Sequence, residues 1–240
     1  MKQKIYRRHF LVPVILIFMS CAIFIPGYSD YASAKRYYSN RQYDAAVFSV
    51  SNSLRIKPKN PKGINLLESA YPLAIHGHKS KIEKLETVTD KSKWPKLVVE
   101  YEALQKLGTM LKFLKPILQN GEDYILKLNV EDYSYELKEA QLLAADYHYT
   151  LGMNFRDEAS KGEQKSAAIN FKLSLKFVPN YMNAQALYEE ARANATFTLL
   201  ISRFKGDNNI AEYLRDQMMI QQSNISKEFL RIITREQLSA

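Results

Sequence analysis

The chain has 240 residues, with 34 Lys and Arg against 25 Asp and Glu, a formal net charge of +9, and a single cysteine. One cysteine excludes a disulfide framework and a cysteine-based metal cluster. Lys2, Lys4, Arg7 and Arg8 crowd into the first few residues, so the remainder is mildly basic and lacks the concentrated patch that nucleic-acid binding needs.

Glycine and proline are scarce while Leu, Ala, Lys and Glu are plentiful, which favours helix. Met1–His9 is basic and Phe10–Ile25 is almost wholly apolar. An apolar run of about 16 residues is short of the about 20 that span a bilayer. A basic start before a short apolar run has the form of a secretory leader. The cysteine lies in that run, in Phe18-Met19-Ser20-Cys21. This resembles a bacterial lipobox, in which a small residue precedes a cysteine that is diacylated and becomes the new N-terminus. Ser20 fits; Phe18 and Met19 depart from the usual leucine and small residue, and Ala22–Ile25 stays apolar where mature lipoproteins turn polar. Three outcomes stand: lipidation at Cys21, an uncleaved signal anchor, or cleavage near Ala32-Ser33-Ala34. Each takes the bulk of the chain out of the cytoplasm. Residues 1–25 are thus expected to be a leader or membrane anchor. As a lipoprotein the chain would face the periplasm or the cell exterior, held by its acyl chains.

From Asp30 to Asn60 the chain reads as a helix, a polar turn at Ser39-Asn40-Arg41-Gln42, a second helix and a stop at Pro58. Ala34 is small and Tyr37 follows it; Tyr43 opens the second helix, and Ala46 and Val50 share one face. Small residues let helices approach, aromatic residues fill the adjacent grooves, and proline cannot continue a helix. The segment resembles the tetratricopeptide pattern W-x2-L-G-x2-Y…A-x3-F…P.

Ile64, Leu67, Ala70, Tyr71, Ala74 and Ile75 share the next helical face. Pro72 is expected to kink that helix or start a new turn. His76 and His78 flank Gly77 with no acidic or cysteine neighbour, and read as an exposed helix-end or loop pair rather than metal ligands. After the polar Thr87–Lys93, Trp94, Leu97, Tyr101 and Leu104 repeat the spacing of Tyr43, Ala46, Val50 and Ser53. Pro116 and Gly121 mark a break, and Glu122–Val130 is ambiguous. A long helix is predicted from about Asp132 to Ala159, with Leu137, Ala140, Ala144, Tyr147, Leu151 and Phe155 on one stripe. The best-matched repeat combines Leu151-Gly152-x2-Phe155, a break at Lys161-Gly162, Ala167-x3-Phe171 and Pro179. Asn180–Asn194 closes the array.

After Asn194 the period changes. Thr196–Phe204 is β-branched and aromatic and predicts a strand; Ile210–Gln222, capped by Asn208 or Asn209, predicts a helix; Phe229–Thr234 predicts a second strand. Strand–helix–strand implies a right-handed crossover with parallel strands. The strand ending Ile201-Ser202-Arg203-Phe204, the helix with Leu214, and the strand running into Thr234-Arg235-Glu236-Gln237-Leu238 resemble the start of the domain of curli-secretion-channel lipoproteins and related envelope proteins. Two strands are marginal alone. Either the sheet continues beyond Ala240, or a partner or second copy completes it.

The chain has no glycine-rich phosphate loop, HExxH, G-x-S-x-G or paired cysteines. Asp132 with Glu136 or Glu158 makes an acid–base pair only if forced, because such charges ordinarily sit on solvated faces. No catalytic, cofactor or metal residue is assigned. The sequons at Asn194 and Asn224 matter only in a eukaryotic secretory pathway, which the lipobox-like segment argues against. Sixteen tyrosines and Trp94 at helical spacing read mainly as packing residues. Tyr37 and Tyr38 beside Arg36 are the candidate partner-binding exception.

The expected fold is mainly α: a tetratricopeptide-like helical hairpin array over 28–194 and a β-α-β segment over 195–240. The resemblance implies a non-enzymatic envelope lipoprotein scaffold that binds protein partners in envelope assembly or secretion. It implies no cofactor and no nucleic acid, and allows self-association through the C-terminal segment. A structural oligomeric subunit of a secretion or cell-wall machine, and an accessory domain of an enzyme, are the alternatives.

Overall fold

The computed structural model describes residues 27–118, 128–158, 160–201, 208–222 and 228–234. Within them the chain is mainly helical, with one small sheet of two parallel strands. The leader with Cys21, most of the ambiguous segment before Val130 and the sequon at Asn224 lie outside the described residues. The chain divides into two compact units, Met1–Lys138 and Glu139–Ala240. The compositional boundary between 194 and 195 falls inside the second.

The first unit opens with α1 (Tyr28–Ser39) and α2 (Tyr43–Ile56). Gly27 precedes α1 at φ 80°, a conformation glycine adopts without strain, and its carbonyl accepts a 2.7 Å hydrogen bond from Ser53 Oγ of α2. α2 ends at Lys57, which leaves the helical region at φ -131° and ψ 78°, as the residue before Pro58 is pushed to do. Pro61 then starts α3 (Pro61–Glu86), where a missing N–H costs nothing. α4 (Lys93–Leu118) returns after a short polar connection. Each helix packs on the next, and α1 also meets α3 and α2 meets α4. Leu54, Leu67, Leu107, Leu111 and Leu114 fill the core between them.

Pro72 does not start a new turn: it lies inside α3, which runs on to Glu86. Pro116 lies in the last turn of α4, which ends at Leu118 near the expected break; Gly121 lies outside the described residues. Both rings are exposed. Water can therefore satisfy the carbonyls that lose their helical partner, and the buried faces stay intact.

α5 (Ser134–Arg156) opens at the end of the first unit and lies mostly in the second. α6 (Lys161–Phe177) follows, so Lys161-Gly162 begins a helix rather than breaking one. The physical reason is Ser160, whose side chain caps the helix by accepting from Glu163 N at 3.2 Å. α7 (Ala184–Ala195) comes next, after Asn180 and Met182 take left-handed φ values of 61° and 45°.

Phe171 of α6 is fully buried among Ala167, Ala168, Ala184, Leu187 and Ala191. It sits on Gly152 of α5: a Cβ at Gly152 would lie 2.7 Å from Phe171 Cε1. The predicted stripe on α5 is buried at Ala140 and Ala144, joined by Ala145 and Gly152; Tyr147, Leu151 and Phe155 are half-buried.

β1 (Phe197–Ile201), α8 (Asn208–Gln222) and β2 (Leu230–Thr234) complete the chain. The strands are parallel, in a register from Phe197 against Leu230 to Ile201 against Thr234. Glu228, just before β2, accepts from Lys172 of α6 and Tyr188 of α7, each at 2.8 Å.

Candidate functional site

The end of α1, the α1–α2 turn, the start of α2 and the middle of α3 border a groove of about 430 Å³. Tyr37 comes from α1, Arg41 from the turn, Tyr43 and Asp44 from α2, and Leu73, His78 and Lys81 from α3. The turn is tight because Arg41 takes a left-handed φ of 59°. Gln42 N donates to Tyr37 O at 2.9 Å and Arg41 N to Tyr38 O at 3.0 Å. Gly77 keeps the α3 side open, since a Cβ there would meet nothing within 4 Å.

His78 closes the groove's inner end. It extends the buried face Leu67–Tyr71–Ala74 by one turn, and is 7% exposed. Its Nε2 lies 2.9 Å from Asp44 Oδ2 of α2 and its Nδ1 lies 2.6 Å from Glu100 Oε2 of α4. Lys81 Nζ also reaches Glu100 Oε2, at 3.2 Å. The hydrogen bond to Asp44 raises the imidazole above its ordinary value; burial opposes this, and the bond to Glu100 adds to it.

A second cavity of about 300 Å³ lies between α3 and the segment leading into α5, lined by Tyr71, Ile75, His76, Lys79, Leu128 and Tyr133 among others. Three of its polar groups satisfy one another. Lys79 Nζ donates to both Glu131 oxygens at 2.9 and 2.8 Å, and Tyr133 donates its hydroxyl to Glu131. Burial, followed by the nearby Tyr133 and Glu131, pushes the Tyr71 hydroxyl up to about 12. These contacts strap 128–133 to α3 and leave little for a polar ligand to engage.

Of the residues singled out for partner binding, Tyr37 alone lines the groove. Arg36 is exposed and its guanidinium covers the Tyr37 ring at 5.4 Å. Tyr38 turns toward the core and meets Tyr43 edge-on at 5.7 Å. Cys21, the lipidation candidate, lies outside the described residues. Asp132, the member common to both forced acid–base pairs, caps α5 instead, accepting from Ser134 N at 3.1 Å; that bond holds its carboxyl below the usual range.

The histidine expectation needs correction. Both histidines lie within α3, and only His76 is exposed. His78 has two acidic partners, from positions 34 and 22 residues away along the chain. The apolar period marked its position, because His78 falls where the stripe from Leu67 through Tyr71 and Ala74 next turns inward.

Among the described residues no helix is long and apolar enough to cross a membrane, and no group of His, Cys, Asp and Glu is placed to hold a metal ion. Comparison with family models, curated proteins and solved structures finds no match.

Proposed function

We infer that this chain is a non-enzymatic scaffold of the bacterial envelope, held at a membrane by lipid on Cys21, that binds a protein partner through tetratricopeptide-like helices. The groove beside Tyr37 carries the inference. It combines two tyrosine rings, the apolar Leu73 and charges of both signs on three helices that share one core. Rigid helical grooves of this make-up suit an extended peptide or a partner helix, which uses apolar anchors for affinity and charges for register. The helical pattern supports the repeat reading: two antiparallel hairpins pack in succession in the first unit, and Phe171 seats on Gly152 in the second. Those two residues occupy the phenylalanine and glycine places of the tetratricopeptide pattern.

The test places a photo-crosslinking residue at Leu73 in the groove, or at the exposed Val99 of α4 outside it, in the full chain in cells. Mass spectrometry of the purified product reads both the joined peptide and the state of residue 21. A defined protein captured from position 73 and not from 99, on a chain bearing acylated Cys21, is the expected result. Equal capture from both positions overturns the groove. Cys21 without acyl chains overturns the lipid anchor.

A further inference from the structure

Each ring nitrogen of His78 faces a carboxylate from a different helix, Asp44 on α2 at 2.9 Å and Glu100 on α4 at 2.6 Å. An ionised carboxylate only accepts, so filling both contacts requires an N–H on both nitrogens, which is the imidazolium. We propose that His78 is a pH-operated clamp: charged, it ties α2 and α4 to α3 at the end of the groove; neutral, it releases one of them. A neutral ring keeps a single N–H. One contact then sets two acceptors face to face, which is costly at Glu100, 13% exposed, and less so at Asp44, 46% exposed, where water can replace the lost N–H.

The surrounding charges decide which contact fails. Glu100 comes from α4, Lys81 from α3 itself, Asp44 from α2, Arg41 from the α1–α2 turn, and the Tyr37 phenol from α1. Glu100 keeps Lys81 as a cation at 3.2 Å when His78 loses its proton. Asp44 has no second ion-pair partner among the described residues. The single remaining N–H therefore stays with the more buried Glu100, while Asp44, nearly half exposed, turns to water, and α2, which forms one wall of the groove, is the arm that loosens.

The direction follows from linkage. A histidine raised in the folded state contributes stability fully present below its unfolded value, and loses it as pH rises through the folded value. The loss thus begins near the ordinary 6.5 and extends upward from there. This device requires no bound partner, so it stands or falls separately from the peptide-binding reading.

The experiment follows the histidine ring signals of the full chain in detergent by NMR from acid to mildly alkaline pH, alongside thermal unfolding at each pH. His78 is expected to titrate above the ordinary 6.5, and Asp44→Asn to bring its midpoint down by about one pH unit. The wild-type melting temperature is expected to fall across the His78 transition, while His78→Gln shows no such fall. A His78 midpoint at or below the ordinary 6.5, or one unmoved by Asp44→Asn, overturns the clamp. Should His78→Gln not fold, the wild-type and Asp44→Asn titrations decide alone.

Discussion

In the first unit the helices meet through many leucines and valines set among alanines; in the second a cluster of alanines surrounds one phenylalanine and one leucine. Leu54, Leu67, Leu107, Leu111 and Leu114 are all at most 1% exposed in the first core. In the second, Ala167, Ala168, Ala184 and Ala191 surround Phe171, with Leu187 at the side. Burying a leucine contributes about 1.5–3 kcal/mol, and an alanine methyl far less. The first unit therefore spreads its stabilisation over many side chains that can adjust. The second concentrates it in one ring and depends on the closeness that small residues allow. Polar groups repeat the contrast. His78 is buried between two carboxylates in the first unit, whereas the second relies on exposed pairs such as Arg156 with Glu190.

Removing the ring should break that difference most visibly. Phe171→Ala is expected to cost the second unit about 3–5 kcal/mol, the usual loss for a buried aromatic truncated to alanine. That rivals the whole stability of many small domains. Amide hydrogen exchange should show protection lost across α6 and α7 but kept in α2 through α4. A single truncation in the first unit, Leu111→Ala, is expected to leave α2 and α3 protected, because five other buried leucines remain in that core. Uniform loss of protection over both units would show that they do not unfold separately.

A smaller effect tests the fit rather than the ring. Gly152→Ala places a methyl 2.7 Å from Phe171 Cε1 and 2.8 Å from Cδ1. The ring is packed on its other sides, so α5 or α6 must shift, at a cost of about 1–3 kcal/mol. Combining it with Phe171→Leu should give less destabilisation than the two single changes added together, since the smaller side chain vacates the clash. Urea unfolding of the four proteins measures this, and strict additivity would mean that Gly152 and Phe171 are not coupled.

Much of the helical order was legible because its punctuation is local. The turn after Ser39 and the stop before Pro58 each act on their immediate neighbours. The parallel pairing was legible too, since the intervening helix period leaves room for a crossover. Pro72 does not end its helix, because its ring faces water, whereas α4 stops at Leu118, two residues after Pro116. The candidate site was less legible. Asp44 and Glu100 reach His78 from separate helices, so no local window holds the cluster. Arg36, Tyr37 and Tyr38 look alike as neighbours, but successive residues turn about 100° around a helix, and only Tyr37 reaches the groove.

Gly77 provides the smallest and most discriminating change. It lies inside α3, where glycine is about 1 kcal/mol less favourable than alanine. Unlike Gly152, it has open space where a Cβ would go, with nothing within 4 Å. Gly77→Ala is therefore expected to stabilise the first unit by about 0.5–1 kcal/mol, opposite in sign to the same substitution at Gly152. Gly77 also borders the groove. A partner lying close against α3 would meet the added methyl, so crosslinking from position 73 should fall while the melting temperature rises. Stability and binding moving apart in this way cannot come from damage to the fold. If both rise together, the partner does not approach α3 at Gly77, and the groove is used only along its Tyr37 and Tyr43 side.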